Sequence, residues 1–392
     1  MIAETRTNQI VSLTQELIRI QSFSGQEGEA AALVHENMSS LGYDEVQVDK
    51  FGNVIGRMTG QKDRANGKIL LFDGHLDTVA PVQLENWTVD PFAGTLMENR
   101  VYGLGAVDMK GSLAAMILAV AGVPRNRFSG TIFVSASVGE EILEGAALAS
   151  VVEITKPDYV VIGEPTDFRI GTAQRGRAGL VVDTLGVAAH TAQPELGENA
   201  VYKMTEVINR LRRMDLPTDN VLGLGLVELI DIISSPFPST SVVPSGCRAR
   251  FDRRLVRYET PESVLIDITE NLRDIQGVEV HLNEESLTCY TGHTLEDIDF
   301  HPAWAIPLEN ELVVRTQSAL REMGMDVDPI MITYCSNASY SAGTMAIPTI
   351  IFGPPSIKRA HAVDEYIEVQ DLYHAVNCYQ TIASSLLGNE ME

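Results

Sequence analysis

Apolar residues recur along this chain with two different periods, and the change of period divides it. Ile10, Leu13, Leu17 and Ile20 are spaced three, four and three apart, which places them on one face of a helix. A second helix is predicted over 28–41, ending at Gly42, a residue that takes a left-handed cap without penalty. Predominantly apolar stretches at 69–72, 131–136 and 159–162 read as buried strands, and an apolar helix is predicted over 109–123. Up to about residue 177 strand alternates with helix. That rhythm implies an α/β fold whose sheet is mostly parallel and sandwiched between helices.

From residue 178 the order becomes strand 180–187, helix 199–214, strands 223–233 and 248–255, helix 261–275 and strand 278–283. This β-α-β-β-α-β order is that of a ferredoxin-like α+β unit. Its first helix carries Val201, Met204, Ile208 and Leu211 on one face. Helix 310–323, strand 347–352 and helix 370–386 then return to the earlier pattern. The chain is therefore expected to form one domain from 1–177 and 293–392, with 178–292 inserted into it. No internal repeat or low-complexity tract interrupts this organisation.

Composition narrows the function classes. With 392 residues, 45% of them hydrophobic, the chain can build two cores. A formal charge of −24 opposes binding to nucleic acid or to an anionic membrane. Cys247, Cys289, Cys335 and Cys378 show none of the close spacings of zinc ribbons or redox pairs and read as reduced thiols. The polar start lacks the apolar core of a signal peptide, and the longest apolar run, 113–123, is too short to span a bilayer. A soluble, cytoplasmic protein is expected.

The chemistry lies in five short motifs. Gly74-His75-Leu76-Asp77, Gly139-Glu140-Glu141 and Gly163-Glu164-Pro165 each follow a predicted strand, so their side chains converge at the strand carboxyl ends, where open α/β sheets bind ligands. Asp108 precedes the apolar helix, and His361 lies in a loop after strand 347–352. Two imidazoles and several carboxylates have the composition of a two-metal hydrolytic site. His75 reads as a ligand with Asp77 behind it, since a metal-bound imidazole usually donates its other nitrogen to a carboxylate. Asp108 is either a helix cap or a bridge between two cations. The adjacent Glu140 and Glu141 can divide labour between proton transfer and metal binding, or simply favour the start of a helix predicted over 142–149. Glu164 and His361, taken alone, are ordinary loop residues. His190, in the inserted segment, has no strand-end placement.

In order and spacing these motifs resemble the zinc-dependent deacylase and carboxypeptidase family that includes acetylornithine deacetylase, succinyl-diaminopimelate desuccinylase, aminoacylase and glutamate carboxypeptidase. The resemblance runs over about 8–385 and is strongest at 71–79, at Trp87, at Asp90-Pro91-Phe92 and at 102–111. Residues 156–164, 174–178 and 252–255 are similar to a subgroup labelled as selenium-metabolism hydrolases. The resemblance implies that Asp108 bridges two zinc ions, with cobalt or manganese as substitutes. Glu141 and His361 would complete one metal and His75 and Glu164 the other, with Glu140 as general base. It implies a cis peptide between Asp108 and Met109, and a homodimer in which His190 reaches the partner's site as an oxyanion donor. The inserted domain would then be both lid and dimer interface. Leu104 departs from the arginine of many relatives, and Ser241 from the asparagine of desuccinylase-like members. Arg254 keeps the matching arginine and, with Arg175 and Arg177, is a candidate for gripping a substrate carboxylate, ordinary ion pairing being the alternative.

The expected function is hydrolysis of an amide next to a free carboxylate, in an N-acyl amino acid or short peptide. A dipeptidase or aminopeptidase of the same family is the alternative among enzymes. A non-catalytic metal- or ligand-binding protein is the alternative outside them, and it has no need for Glu140 beside Glu141.

Overall fold

The structure, a computed structural model, describes the backbone of residues 2–61 and 67–388 and the side chains from residue 9 onward. A nine-stranded sheet forms its centre. Strands Thr131–Ser137, Ile69–His75, Tyr159–Ile162 and Thr349–Ile351 lie side by side and run parallel. Antiparallel neighbours flank them, Val54–Thr59 and Glu45–Val48 on one side, Ile170–Gln174 and Trp304–Ala305 on the other. Pro329–Ile332 adds a parallel strand to Ile170–Gln174. The parallel character read from the strand–helix alternation thus holds for the middle of a mixed sheet. Tyr159–Ile162 is buried along its whole length, as a strand covered on both faces must be.

Helices supply the cover. In Ile2–Arg19 the residues Ile10, Leu13 and Leu17 are buried as their spacing predicts, while Ile20 falls just beyond the helix end. Gly28–Ser40 buries Ala30, Ala31, Val34 and Met38, and Gly42 follows at φ +82°. The apolar helix is Gly111–Ala121, within the expected 109–123; Asp108 and Met109, just before it, have non-helical backbone, and the peptide between them is cis. The helix expected over 142–149 begins only at Ala146, since the preceding Gly145 sits at φ +83° and turns the chain.

A separate antiparallel sheet pairs Leu226–Ser235, Gly246–Leu255, Gly176–Leu185 and Val278–Leu282 in that order. Helices Ala200–Leu211 and Pro261–Leu272 pack on it through Met204, Val207, Val264 and Ile268 against Leu180, Val182 and Phe251. Asn199 caps the first helix and Thr260 closes a capping box on the second. Strand Leu226–Ser235 lies at the edge of this sheet and leaves Ile230, Ile232 and Ile233 exposed. The hairpin Glu284–Thr288 and Thr294–Ile298 packs Leu287, Cys289 and Leu295 into the core of the main sheet instead. The expected boundary at residue 292 falls within that hairpin.

Candidate active site

Strand geometry brings the motifs together. His75 is the last residue of Ile69–His75, Glu164 follows Tyr159–Ile162, and Glu140 and Glu141 follow Thr131–Ser137 after a turn at Gly139, φ +67°. Gly163 lets the next loop approach the apolar helix closely, since a Cβ there would come within 2.5 Å of Met109 and Met116. Asp108 enters from the turn before that helix. His361 enters from the loop after Thr349–Ile351.

The central contact is Asp108. Its Oδ1 lies 2.9 Å from His75 Nε2 and its Oδ2 lies 3.4 Å from His361 Nε2. Glu164 Oε1 is 3.6 Å from His75 Nε2, and Glu141 Oε1 is 3.1 Å from His361 Nε2. Ligand atoms of His75, Glu140 and Glu164 cluster within 4.8 Å of one another, as do those of His75, Asp108 and Glu141. The carboxylate of Asp108 thus faces both imidazoles, each accompanied by a further glutamate. His75, Asp108, Glu140 and Glu164 are buried.

So many like charges in so little water cannot coexist unaided. Burial, reinforced by neighbouring carboxylates, pushes Glu140 and Glu164 well above the usual carboxylate range, and burial raises Glu141 as well. Burial alone would lower His75, but hydrogen bonds to Asp108 and Asp77 leave it well above its ordinary value. The Glu141 hydrogen bond brings His361 up to about 9. Protonation is one way to relieve this repulsion, and divalent cations are the other. Imidazole nitrogen with carboxylate oxygen is the donor set of zinc, cobalt and manganese sites, so the residues present fit a pair of such ions.

Asp77 is buried, but its principal contacts differ from the expected one. His75 Nδ1 is 2.9 Å from the Asp77 backbone carbonyl and 3.6 Å from the carboxylate. The carboxylate accepts the amides of Glu140 and Glu141, each at 3.1 Å, and the Ser24 hydroxyl at 2.7 Å. It therefore also orients the loop bearing the paired glutamates. Glu27 does the same from below, accepting the Gly25 and Gly139 amides at 2.9 and 3.1 Å. Glu365 accepts the Val107 amide at 2.7 Å beside Asp108, and burial pushes its carboxyl up to about 8. Neither Glu27 nor Glu365 carried a sequence signal, because a single glutamate beside a helix or loop reads as a solvated one.

Among the described residues, His190 and the three arginines do not themselves line the site cavity. His190 is exposed, its Nδ1 accepting the Ala192 amide at 3.0 Å. Among the described residues, the cavity over the site, about 270 Å³, is lined by Asp108, Glu140, Glu141, Glu164 and His361 together with Glu144, Tyr334, Cys335, Ile357 and Ala360, and not by His190. The three arginines already have partners. Arg175 donates to the Leu222 carbonyl, Arg177 to Glu144, and Arg254 pairs with Asp252.

Known proteins bear on this geometry. The chain is 28% identical over 389 residues to the uncharacterised protein YgeY of Escherichia coli, covering 96% of this chain and 94% of that one. It is 29% identical over 346 residues to acetylornithine deacetylase of Salmonella arizonae, covering 85% and 84%. Its fold matches the Bacillus subtilis YXEP protein, described as a dinuclear metal binding peptidase, with a TM-score of 0.70 over 98% of this chain and 99% of that one at 14% identity. The model of peptidase family M20/M25/M40 matches residues 71–385. The chain belongs to that family and is a hydrolase of amide or peptide bonds.

Proposed function

We propose that the protein is a dinuclear, zinc-dependent amidohydrolase acting on an N-acyl amino acid or short peptide with a free carboxylate. The observation that carries this reading is Asp108, whose two oxygens face two imidazoles at 2.9 and 3.4 Å. In this assignment Asp108, Glu141 and His361 would hold one cation, and Asp108, His75 and Glu164 the other. Two divalent cations held there would supply an acidified water and polarise the scissile carbonyl. Glu140, buried and not paired with either histidine at hydrogen-bond distance, takes the proton from the attacking water and passes it to the leaving amine. Asp77 holds the Glu140 and Glu141 amides and backs His75.

His190 is assigned as oxyanion donor to the partner subunit's site. Its exposure, and its absence from the lining of its own chain's cavity among the described residues, suit a role in trans. The exposed isoleucines of edge strand Leu226–Ser235 suit an interface between two copies, because an unpaired apolar edge is otherwise an aggregation hazard. The segment 178–292 would then serve as lid and dimerisation domain, closing water out of the site. Among the described residues no helix is long and apolar enough to cross a membrane, and the four cysteines are unpaired. Both suit a cytoplasmic location.

A second reading, a dipeptidase or aminopeptidase that recognises a substrate amine, is favoured by the internal partners of Arg175, Arg177 and Arg254, which are candidates for gripping a carboxylate only if released. Glu140→Ala separates catalysis from metal binding. It should lower turnover by about 10²- to 10⁴-fold with metal content near that of the parent, whereas Glu141→Ala should lose metal. Equal metal loss in the two variants, by elemental analysis, would reverse the assignment.

A further inference from the structure

The wall of the site cavity carries a carboxylate that the hydrolytic chemistry does not use. Glu144 lines the cavity beside Glu140 and Glu141, and its side chain is only 13% exposed. Its Oε2 accepts from Arg177 Nη2 at 2.7 Å and lies 3.3 Å from His301 Nε2. The same Arg177 nitrogen is 2.9 Å from Asp299 Oδ1 and 3.3 Å from His301 Nε2. Arg177 belongs to strand Gly176–Leu185 of the second sheet, whereas Glu144 follows a strand of the main sheet, so the pair joins the two sheets at the mouth of the site.

We propose that Glu144 is a specificity-determining residue that selects a substrate carrying a positive charge close to the scissile amide. Two features of the wall lead there. First, Glu144 masks Arg177. A substrate carboxylate reaching for the guanidinium must displace Glu144 from its 2.7 Å contact and accept the repulsion of Glu144 and Asp299 together. Second, the acids of this wall outnumber its arginines. Glu144, Asp299 and Asp252 face Arg177 and Arg254, with His301 Nε2 3.3 Å from both Glu144 and Asp299, while Arg175 is turned to the Leu222 carbonyl. An ammonium or guanidinium group shares the remaining lone pairs of Glu144 without breaking the Arg177 contact. Specificity of this kind combines an attractive site for one charge with a penalty for the other.

The inference rests on the amidohydrolase reading and deepens it. Its test uses the metal-reconstituted full chain and substrates matched in shape. N-acetyl-lysine, N-acetyl-norleucine and N-acetyl-glutamate vary the charge on the amine side of the bond, and glycyl-norleucine against N-acetyl-norleucine varies it on the acyl side. The parent should cleave the cationic member of at least one matched pair with a kcat/KM at least about tenfold above its neutral counterpart, with N-acetyl-glutamate poorest. Glu144→Gln, with metal content unchanged, should bring cationic and neutral members within about threefold and raise N-acetyl-glutamate, while Glu144→Asp should retain the preference for the cation. The inference is overturned if the parent treats matched pairs alike, if the ranking survives in Glu144→Gln, or if that variant loses metal and so reveals a supporting role only. If the parent cleaves no member with zinc, cobalt or manganese, the amidohydrolase reading itself fails, an outcome distinct from cleavage without charge preference.

Discussion

Replacing Glu27 with glutamine should change how stability responds to pH, and the size of the change follows from its surroundings. Glu27 is fully buried, its Oε1 accepts two amides, and its Oε2 has no hydrogen-bond partner among the described residues. Burial, with the charge of Asp77 adding to it, pushes the carboxyl from 4.5 to about 7, against the opposing effect of the amide hydrogen bonds. The folded-state pKa is therefore above the unfolded one, and between the two the native state binds the extra proton. Stability contributed by the protonated acid is present below about pH 4.5 and falls as pH rises, levelling above about 7. At about 1.36 kcal/mol per unit, the loss across that window is roughly 3 kcal/mol. Glutamine keeps an acceptor for the Gly25 and Gly139 amides but does not titrate. Urea unfolding of both proteins in chelator, followed at half-unit steps from pH 4.5 to 8, should give a difference that moves in favour of Glu27→Gln by roughly 3 kcal/mol across the range. A difference independent of pH would refute the reasoning, because it would mean that Glu27 titrates alike in the folded and unfolded chains.

Two further substitutions probe the proposed assembly. His190→Ala should lower kcat by about 10²-fold or more with metal content intact, and mixing it with Glu140→Ala subunits should restore part of the activity once exchange is verified, since one site then has both groups; no recovery would remove the role in trans. Ile232→Lys, on the exposed edge strand, should shift the protein toward monomer in sedimentation velocity and lower activity with it, and an unchanged oligomeric state would move the interface elsewhere.

The strand-end placement of His75, Glu140, Glu141 and Glu164 was legible in the sequence because each short acidic or histidine motif follows a mostly apolar stretch, and the sheet does the converging. The β-α-β-β-α-β order of the middle segment was legible for the same reason, from periodicity alone. What was not legible depended on contacts between distant segments. Glu27 meets Gly139 across 112 residues, and Glu365 meets Val107 across 258. Neither spacing leaves a local pattern. The helix after Glu141 was placed four residues early because the turn at Gly145 is set by its left-handed backbone and not by hydrophobic period. The antiparallel flanks of the main sheet were missed where strands are short, as at Trp304–Ala305. The arginines illustrate a different limit. Charge type alone could not say whether Arg177 faces a substrate or Glu144, and only the 2.7 Å contact decides that it is already engaged.

The account stands most directly on whether two cations turn this set of side chains into a hydrolase. The decisive measurement is stepwise addition of zinc to chelator-stripped protein, with hydrolysis of a panel of N-acyl amino acids and dipeptides followed at each step. The account predicts no turnover in the stripped protein and activity that rises to a plateau at two equivalents of zinc per chain. Hydrolysis that persists in the stripped protein, or a plateau at a single equivalent, would contradict the dinuclear assignment of His75, Asp108, Glu141, Glu164 and His361.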